Sequence, residues 1–147
     1  MRVAVGSDHA GFELASLLQE FLTGKGMQVD RYGATSTQSY DYPLAADEVA
    51  KAILEESSEF GILVCGSGIG VCIRANRFMG IRAAQCFTVE MAKLARQHNH
   101  ANVLCLGERI QDYSSAKQIV DAFLTTEEDH AARHDHRVEQ IEAPIHS

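Results

Sequence analysis

Apolar positions along the 147 residues fall into two alternating patterns. Short runs with little polar alternation cover 2–6, 28–31, 61–65, 81–86 and 102–106. Such runs predict short strands, most of them buried on both faces. Between them, apolar residues recur at helical spacing over 12–23, 44–55, 70–77, 89–98 and 113–124. Strands that alternate with helices predict a parallel sheet, and right-handed crossovers place helices on both of its faces. The expected fold is α/β: a three-layer αβα sandwich around a Rossmann-like five-stranded parallel sheet. No repeat or linker interrupts the pattern, so residues 1–147 are expected to form one domain.

The last stretch departs from this pattern. Glu127-Glu128-Asp129-His130 is polar, and over 133–145 only Val138, Ile141 and Ile145 keep helical spacing. So thin a stripe suits a C-terminal helix that extends onto a partner subunit, or else a loosely docked terminus.

Composition narrows the function classes. The chain is 46% hydrophobic and 22% charged, enough apolar content for a real core. Thirteen basic against twenty acidic residues give −7, which argues against a broad nucleic-acid or anionic-membrane surface but leaves room for a small cationic site. The N-terminal apolar run is too short for a signal peptide, and no run approaches membrane-span length. Cys65, Cys72, Cys86 and Cys105 sit mostly inside apolar runs without ligand-like pairing. They read as reduced packing residues of a cytoplasmic protein.

In an open α/β sheet, ligands bind at the carboxyl edge of the strands. Three predicted strands are expected to bring unusual residues there. The first is followed by Ser7-Asp8-His9-Ala10-Gly11, and the third runs into Cys65-Gly66-Ser67-Gly68-Ile69-Gly70. The fifth is preceded by Arg96-Gln97-His98-Asn99 and followed by Gly107-Glu108-Arg109. Alternate glycines let the backbone approach a ligand and aim several N–H groups at a phosphate or a developing oxyanion. Cys65 at the loop's entrance then lies where those dipoles favour a thiolate. A dinucleotide turn or tight strand-to-helix packing would also use such a loop, although it does not follow the first strand and lacks the Gly-Lys-Ser/Thr of a P-loop.

Asp8 and His9 could do acid–base work, or Asp8 could simply cap a helix. His98 and Asn99 could equally close a helix C-terminus. Arg133 and Arg137, four apart, put two guanidinium groups on one helical face, as phosphate binding requires. His130 and His134 share that spacing and would suit a metal, but no third ligand stands nearby in sequence and none is expected to bind.

Taken together, the motifs resemble one family. Gly6-Ser7-Asp8-His9-Ala10-Gly11, Asp41-Tyr42-Pro43, the glycine loop, Ala75-Asn76-Arg77, residues 96–102 and Arg133-His134-x-x-Arg137 occur in an order similar to the ribose-5-phosphate isomerase B (RpiB/LacA/LacB) sugar-phosphate isomerases. The resemblance covers essentially the whole chain. It implies aldose–ketose isomerisation of a sugar phosphate through a cis-enediol, with no metal or nucleotide cofactor. By that resemblance Cys65 is the base. Some members instead use a Glu just after the glycine loop, where this chain has Val71.

The resemblance further implies that Asp8 and His98 assist ring opening. Gly66, Gly68, Ile69 and Gly70, with Ser67 and Asn99, would hold the enediolate oxygen. His9, Arg109, Arg133 and Arg137 would bind phosphate, while Tyr42 and His134 line the sugar site. It also implies a homodimer, or a tetramer of such dimers, whose active sites draw on both subunits. Ribose 5-phosphate is the expected substrate. Galactose 6-phosphate, allose 6-phosphate or a tetrose phosphate are the alternatives, and a non-catalytic phosphate- or nucleotide-binding module is a further one.

Overall fold

The structure, a computed structural model, describes residues 1–145. Five parallel strands, β1 (Arg2–Ser7), β2 (Gln28–Gly33), β3 (Phe60–Cys65), β4 (Ala83–Gln85) and β5 (Val103–Gly107), form one sheet in the order β2-β1-β3-β5-β4. The helices are α1 (Phe12–Gly24), α2 (Tyr42–Leu54), α3 (Ile69–Ala75), α4 (Val89–Asn99), α5 (Tyr113–Thr125) and α6 (Ala132–Glu142). The expected αβα sandwich is what forms.

Right-handed crossovers dictate which helix lies on which face. Connections that step one way across the sheet, through α2 and α3, cover one face. Those that step back, through α1 and α4, cover the other, where α5 joins them. Two apolar clusters result. One holds Leu14, Leu18, Leu22, Ile119 and Phe123 beneath α1 and α5, and the other holds Ala45, Ala46, Val49, Val71 and Ala75 beneath α2 and α3. Residues of β3 alternate between them, Ile62 and Val64 facing the first and Leu63 and Cys65 the second. This is the double burial that the unalternating strand patterns predict.

The elements differ from expectation mainly at their ends. β4 keeps only three of the six residues expected over 81–86. Side chains take over where ladder bonds would otherwise be: Asn102 Oδ1 accepts from Arg82 N, and Asn76 Oδ1 accepts from Ala83 N, both at 2.8 Å. α2 starts at Tyr42 rather than 44 because Pro43, with its preset φ and missing N–H, suits the first turn. α4 runs to Asn99 and closes on His100 in the left-handed region, φ 47°. The tail does form a helix, but Ile145 lies beyond it and is 98% exposed.

All four cysteines are free thiols. Burial, with Cys72 nearby, pushes the Cys86 thiol up to about 11, and burial raises Cys105 well above the ordinary thiol value. Cys72 is half-buried, and hydrogen bonding with Cys105 draws it down to about 7, so packing alone does not describe it.

Phe123 is fully buried, edge-on to Phe60 at 6.1 Å between ring centres. Phe123→Ala is expected to cost about 3–5 kcal/mol of stability through the cavity it leaves. Urea unfolding of wild type and variant measures this, and a loss under about 1 kcal/mol would contradict the packing described.

Candidate active site

The sheet order creates the site. β1 and β3 are neighbours, but the chain leaves β1 towards one face and β3 towards the other. Their loops diverge and open a crevice at the carboxyl edge, the topological switch point of an open α/β sheet. A cleft of about 510 Å³ lies there, lined by Asp8, His9, Ala10, Tyr42, Cys65, Gly66, Ser67, Ile69, Gly70, Ile73 and Arg109.

Its floor is the Cys65–Gly70 loop. Gly68 adopts φ +81°, a conformation that L side chains rarely take, and this turns its N–H onto Cys65 Sγ at 3.1 Å. This contact holds the Cys65 side chain in place at the entrance of the loop. Ser67 Oγ accepts from Ile69 N at 3.2 Å, and Gln85 Nε2 donates to Ser67 O at 2.6 Å, which fixes the loop from beneath. At Gly70 any Cβ would overlap the Tyr42 ring, so the absence of a side chain lets that ring form the cleft wall.

The cleft's charge is set by its neighbours. Arg109 follows β5, and its backbone N–H donates to Gly66 O at 3.0 Å, which lays the guanidinium against the glycine loop. The adjacent Glu108 turns away: its Oε1 accepts from Leu14 N in the first turn of α1 at 2.6 Å. His9 is held by the backbone of Tyr40, whose N–H lies 3.1 Å from Nδ1. The Tyr40 carbonyl oxygen lies 3.2 Å from the same nitrogen, so both main-chain groups of Tyr40 fix the ring. Asp8 is buried, and its Oδ1 accepts from Gly11 N at 2.9 Å. It therefore shapes the turn before α1 while also lining the cleft, but it does not cap the helix, whose N-cap is Gly11 without a side-chain bond.

Ten of the expected site residues thus divide from the other five. Asp8, His9, Tyr42, Cys65, Gly66, Ser67, Ile69, Gly70 and Arg109 meet in the cleft, with Gly68 in the loop beneath. His98, Asn99, Arg133, His134 and Arg137 do not line it. The expectation that residues before the fifth strand reach the carboxyl edge is wrong, and the reason is directional. Helices in this fold run antiparallel to the strands, so the C-terminus of α4 lies at the amino edge. Eleven residues of helix span about 16 Å.

At that far edge His98 stacks on His134, with ring centres 4.4 Å apart. His134 is buried, its Nε2 3.6 Å from Asp129 Oδ2 and without a hydrogen bond. Desolvation, reinforced by Arg133 and His98, lowers its pKa and favours the neutral ring. Arg133 and Arg137 are exposed beside it.

Two residues escaped the sequence reading. Ile73 lines the cleft one helical turn after Ile69, a spacing that could have identified it. Tyr40 holds His9 through its main chain, and no side-chain pattern signals that role.

The arrangement agrees with known proteins. Residues 3–141 match the family model described as Ribose/Galactose Isomerase. The ribose-5-phosphate isomerase B of Escherichia coli is 42% identical over 142 residues, covering 97% of this chain and 95% of that one. The D-erythrulose-4-phosphate isomerase of Pectobacterium atrosepticum is 40% identical over 128 residues, 86% of this chain and 84% of that one. Among solved structures, a ribose 5-phosphate isomerase from Thermotoga maritima superposes with a TM-score of 0.94 at 46% identity, covering 96% of this chain and 97% of that one. With fold and sequence in agreement over nearly its whole length, the chain belongs to the ribose/galactose isomerase family.

Proposed function

We propose that the cleft interconverts ribose 5-phosphate and ribulose 5-phosphate through a cis-enediolate, with Cys65 as the base and neither metal nor nucleotide required. The observation that carries this reading is the Gly68 N–H on Cys65 Sγ at the switch point, with Arg109 and His9 on the rim of the same cleft. The C2 proton of an open-chain aldose is a weak acid, so its removal needs a base and donors aimed at the emerging oxyanion. The thiolate takes that proton while the C1 carbonyl oxygen becomes the enediolate oxygen, held by the loop amides with Ser67. The thiol then returns the proton to C1 as the C2 hydroxyl proton passes to O1, leaving the ketose. Asp8 assists ring opening, Tyr42 lines the sugar, and His9 and Arg109 bind phosphate.

The remaining residues come from a second copy of the chain. His98 and His134, Asn99, Arg133 and Arg137 face away from their own cleft, so one chain holds half of two sites. In a homodimer each cleft receives them from its partner: His98 for ring opening, Asn99 for the enediolate oxygen, His134 for the sugar wall, and the two arginines for phosphate. Exposed apolar side chains support such a contact. Ile69, Ile73 and Met79 on and after α3 are more than half exposed, as is Ile141 on α6. A groove of about 510 Å³ lies between these two regions, lined by Phe78, Met79, Ile81 and Ile141 among others. No helix among the described residues is long and apolar enough to cross a membrane. The free cysteines fit a reducing, cytoplasmic setting.

Incubation of the full chain with ribose 5-phosphate in heavy water, without added metal, should show C2 proton loss and ribulose 5-phosphate by NMR. Turnover confined to tetrose or hexose phosphates would overturn the pentose assignment. Cys65→Ala is expected to lower kcat by about 10²–10⁴ with an unchanged circular dichroism spectrum. A variant within tenfold of wild type would remove Cys65 from the role of base.

Mixing tests the shared site. Cys65→Ala and His98→Ala should each be inactive alone. In a heterodimer of the two, one cleft carries both lesions and the other carries none. Random exchange of equal amounts should therefore restore about a quarter of wild-type activity. No recovery, with subunit exchange verified by mass spectrometry, would place His98 in its own chain's site or outside catalysis.

A further inference from the structure

Outside the cleft, at the C-terminus of α4, two imidazoles and two carboxylates surround one another. His100 is buried and fixed in the left-handed region that ends the helix. Glu128 Oε2 lies 3.6 Å from His100 Nδ1 and 3.3 Å from His130 Nε2. Asp135 Oδ1 lies 4.0 Å from His100 Nε2 and 2.9 Å from His130 Nδ1. His100 Nε2 also lies 3.0 Å from the backbone oxygen of Asp129, to which its N–H donates, so the His100 lone pair is on Nδ1 and faces Glu128, while both nitrogens of His130 face carboxylate oxygens. A neutral imidazole has one N–H and one lone pair, so two lone pairs are directed at anionic oxygens. Arg96, with Nη1 3.6 Å from Glu128 Oε1, offsets only part of that negative charge. The cluster calls for added positive charge.

We propose that His100, His130 and Asp135, with Glu128 beside them, bind a first-row divalent transition-metal ion. One donor atom from each of the first three lies within 4.8 Å of the others. Tetrahedral ligands at bonds of about 2.0–2.2 Å stand roughly 3.3 Å apart. Closing the remaining distance falls to His130 and Asp135, whose side chains are 66% and 41% exposed and free to move. Two imidazole nitrogens with carboxylate oxygens suit Zn²⁺, Co²⁺ or Ni²⁺ better than Mg²⁺ or Ca²⁺. The helical spacing in the sequence pairs His130 with His134. The fold instead stacks His134 on His98 and brings in His100, thirty residues away in the chain, as the ligand that sequence spacing does not supply.

None of these four residues lines the sugar-phosphate cleft. The ion would be a clip: it would tie the end of α4 to the connection that leads into α6 and to the first turn of α6, which carries Arg133.

The test uses the full chain without a tag, treated with chelator and then dialysed. Titration with Co²⁺, followed by its visible d–d absorption, should show one ion per chain that Zn²⁺ displaces, with no thiolate-to-cobalt charge-transfer band. His130→Ala and Asp135→Asn alter exposed side chains and should keep the fold by circular dichroism. Each is expected to weaken Co²⁺ binding at least about tenfold, which is about 1.4 kcal/mol. Zn²⁺ should also raise the melting temperature of wild type but not of His130→Ala. Absence of Co²⁺ binding, a thiolate band, or unchanged affinity in either variant would overturn the proposal.

Discussion

The departure of β1 and β3 to opposite faces is the constraint on which the rest of this structure depends. Right-handed crossovers allow a parallel sheet to be covered on both faces, but somewhere the direction of winding must reverse. Here it reverses between Ser7 and Cys65, and the loops cannot fill the gap they leave. Cys65 owes its combination of burial and access to this. It belongs to the apolar cluster beneath α2 and α3 and also lines the cleft, with the Gly68 amide on its sulfur.

The same winding rule sends each helix back to the amino edge. A functional residue at a helix C-terminus is thereby separated from the strand ends by the helix's own length. His98 and Asn99 sit at such a terminus, and α6 packs beside them with Arg133 and Arg137. The proposed second copy would resolve the geometry without any change in the fold. It would also let a chain of net charge −7 hold a phosphate, since the cations lie in two small groups that association would bring together.

Much of this was legible in the sequence, for physical reasons. Strand positions could be read because burial on both faces removes polar alternation, as in Gly61–Cys65. The glycine loop could be read because alternate glycines after a buried strand have few structural purposes. What could not be read was direction. The string Arg96-Gln97-His98-Asn99 lies close to β5 in sequence, but on the side that precedes the strand, and proximity was mistaken for position at the carboxyl edge. β4 was read too long because apolar residues at 81–86 look the same whether ladder partners or Asn76 and Asn102 take their amides. His9 was recognised, but not the Tyr40 main chain that orients it, since backbone contacts leave no signature in residue type.

The C-terminal histidines show how far spacing can mislead when an element's surroundings are unknown. Positions 130 and 134 suggest one helical face, yet α6 begins only at Ala132, so His130 lies before the helix and is free to turn elsewhere. It turns to His100 and Asp135, while His134 enters the helix and packs on His98. A single helix start therefore divides two histidines of like appearance between different tasks. One stands with the residues that a partner's cleft would use, and the other in a charge-unbalanced cluster that holds the same segment in place. Both depend on where α6 begins, and Asp129 contributes to that: its Oδ1 accepts from Ala131 N at 2.9 Å just before the first turn. The connection between α5 and α6 thus acts as a support for the arm that carries Arg133 and Arg137, and its polar sequence reflects that task rather than the looseness its composition suggests.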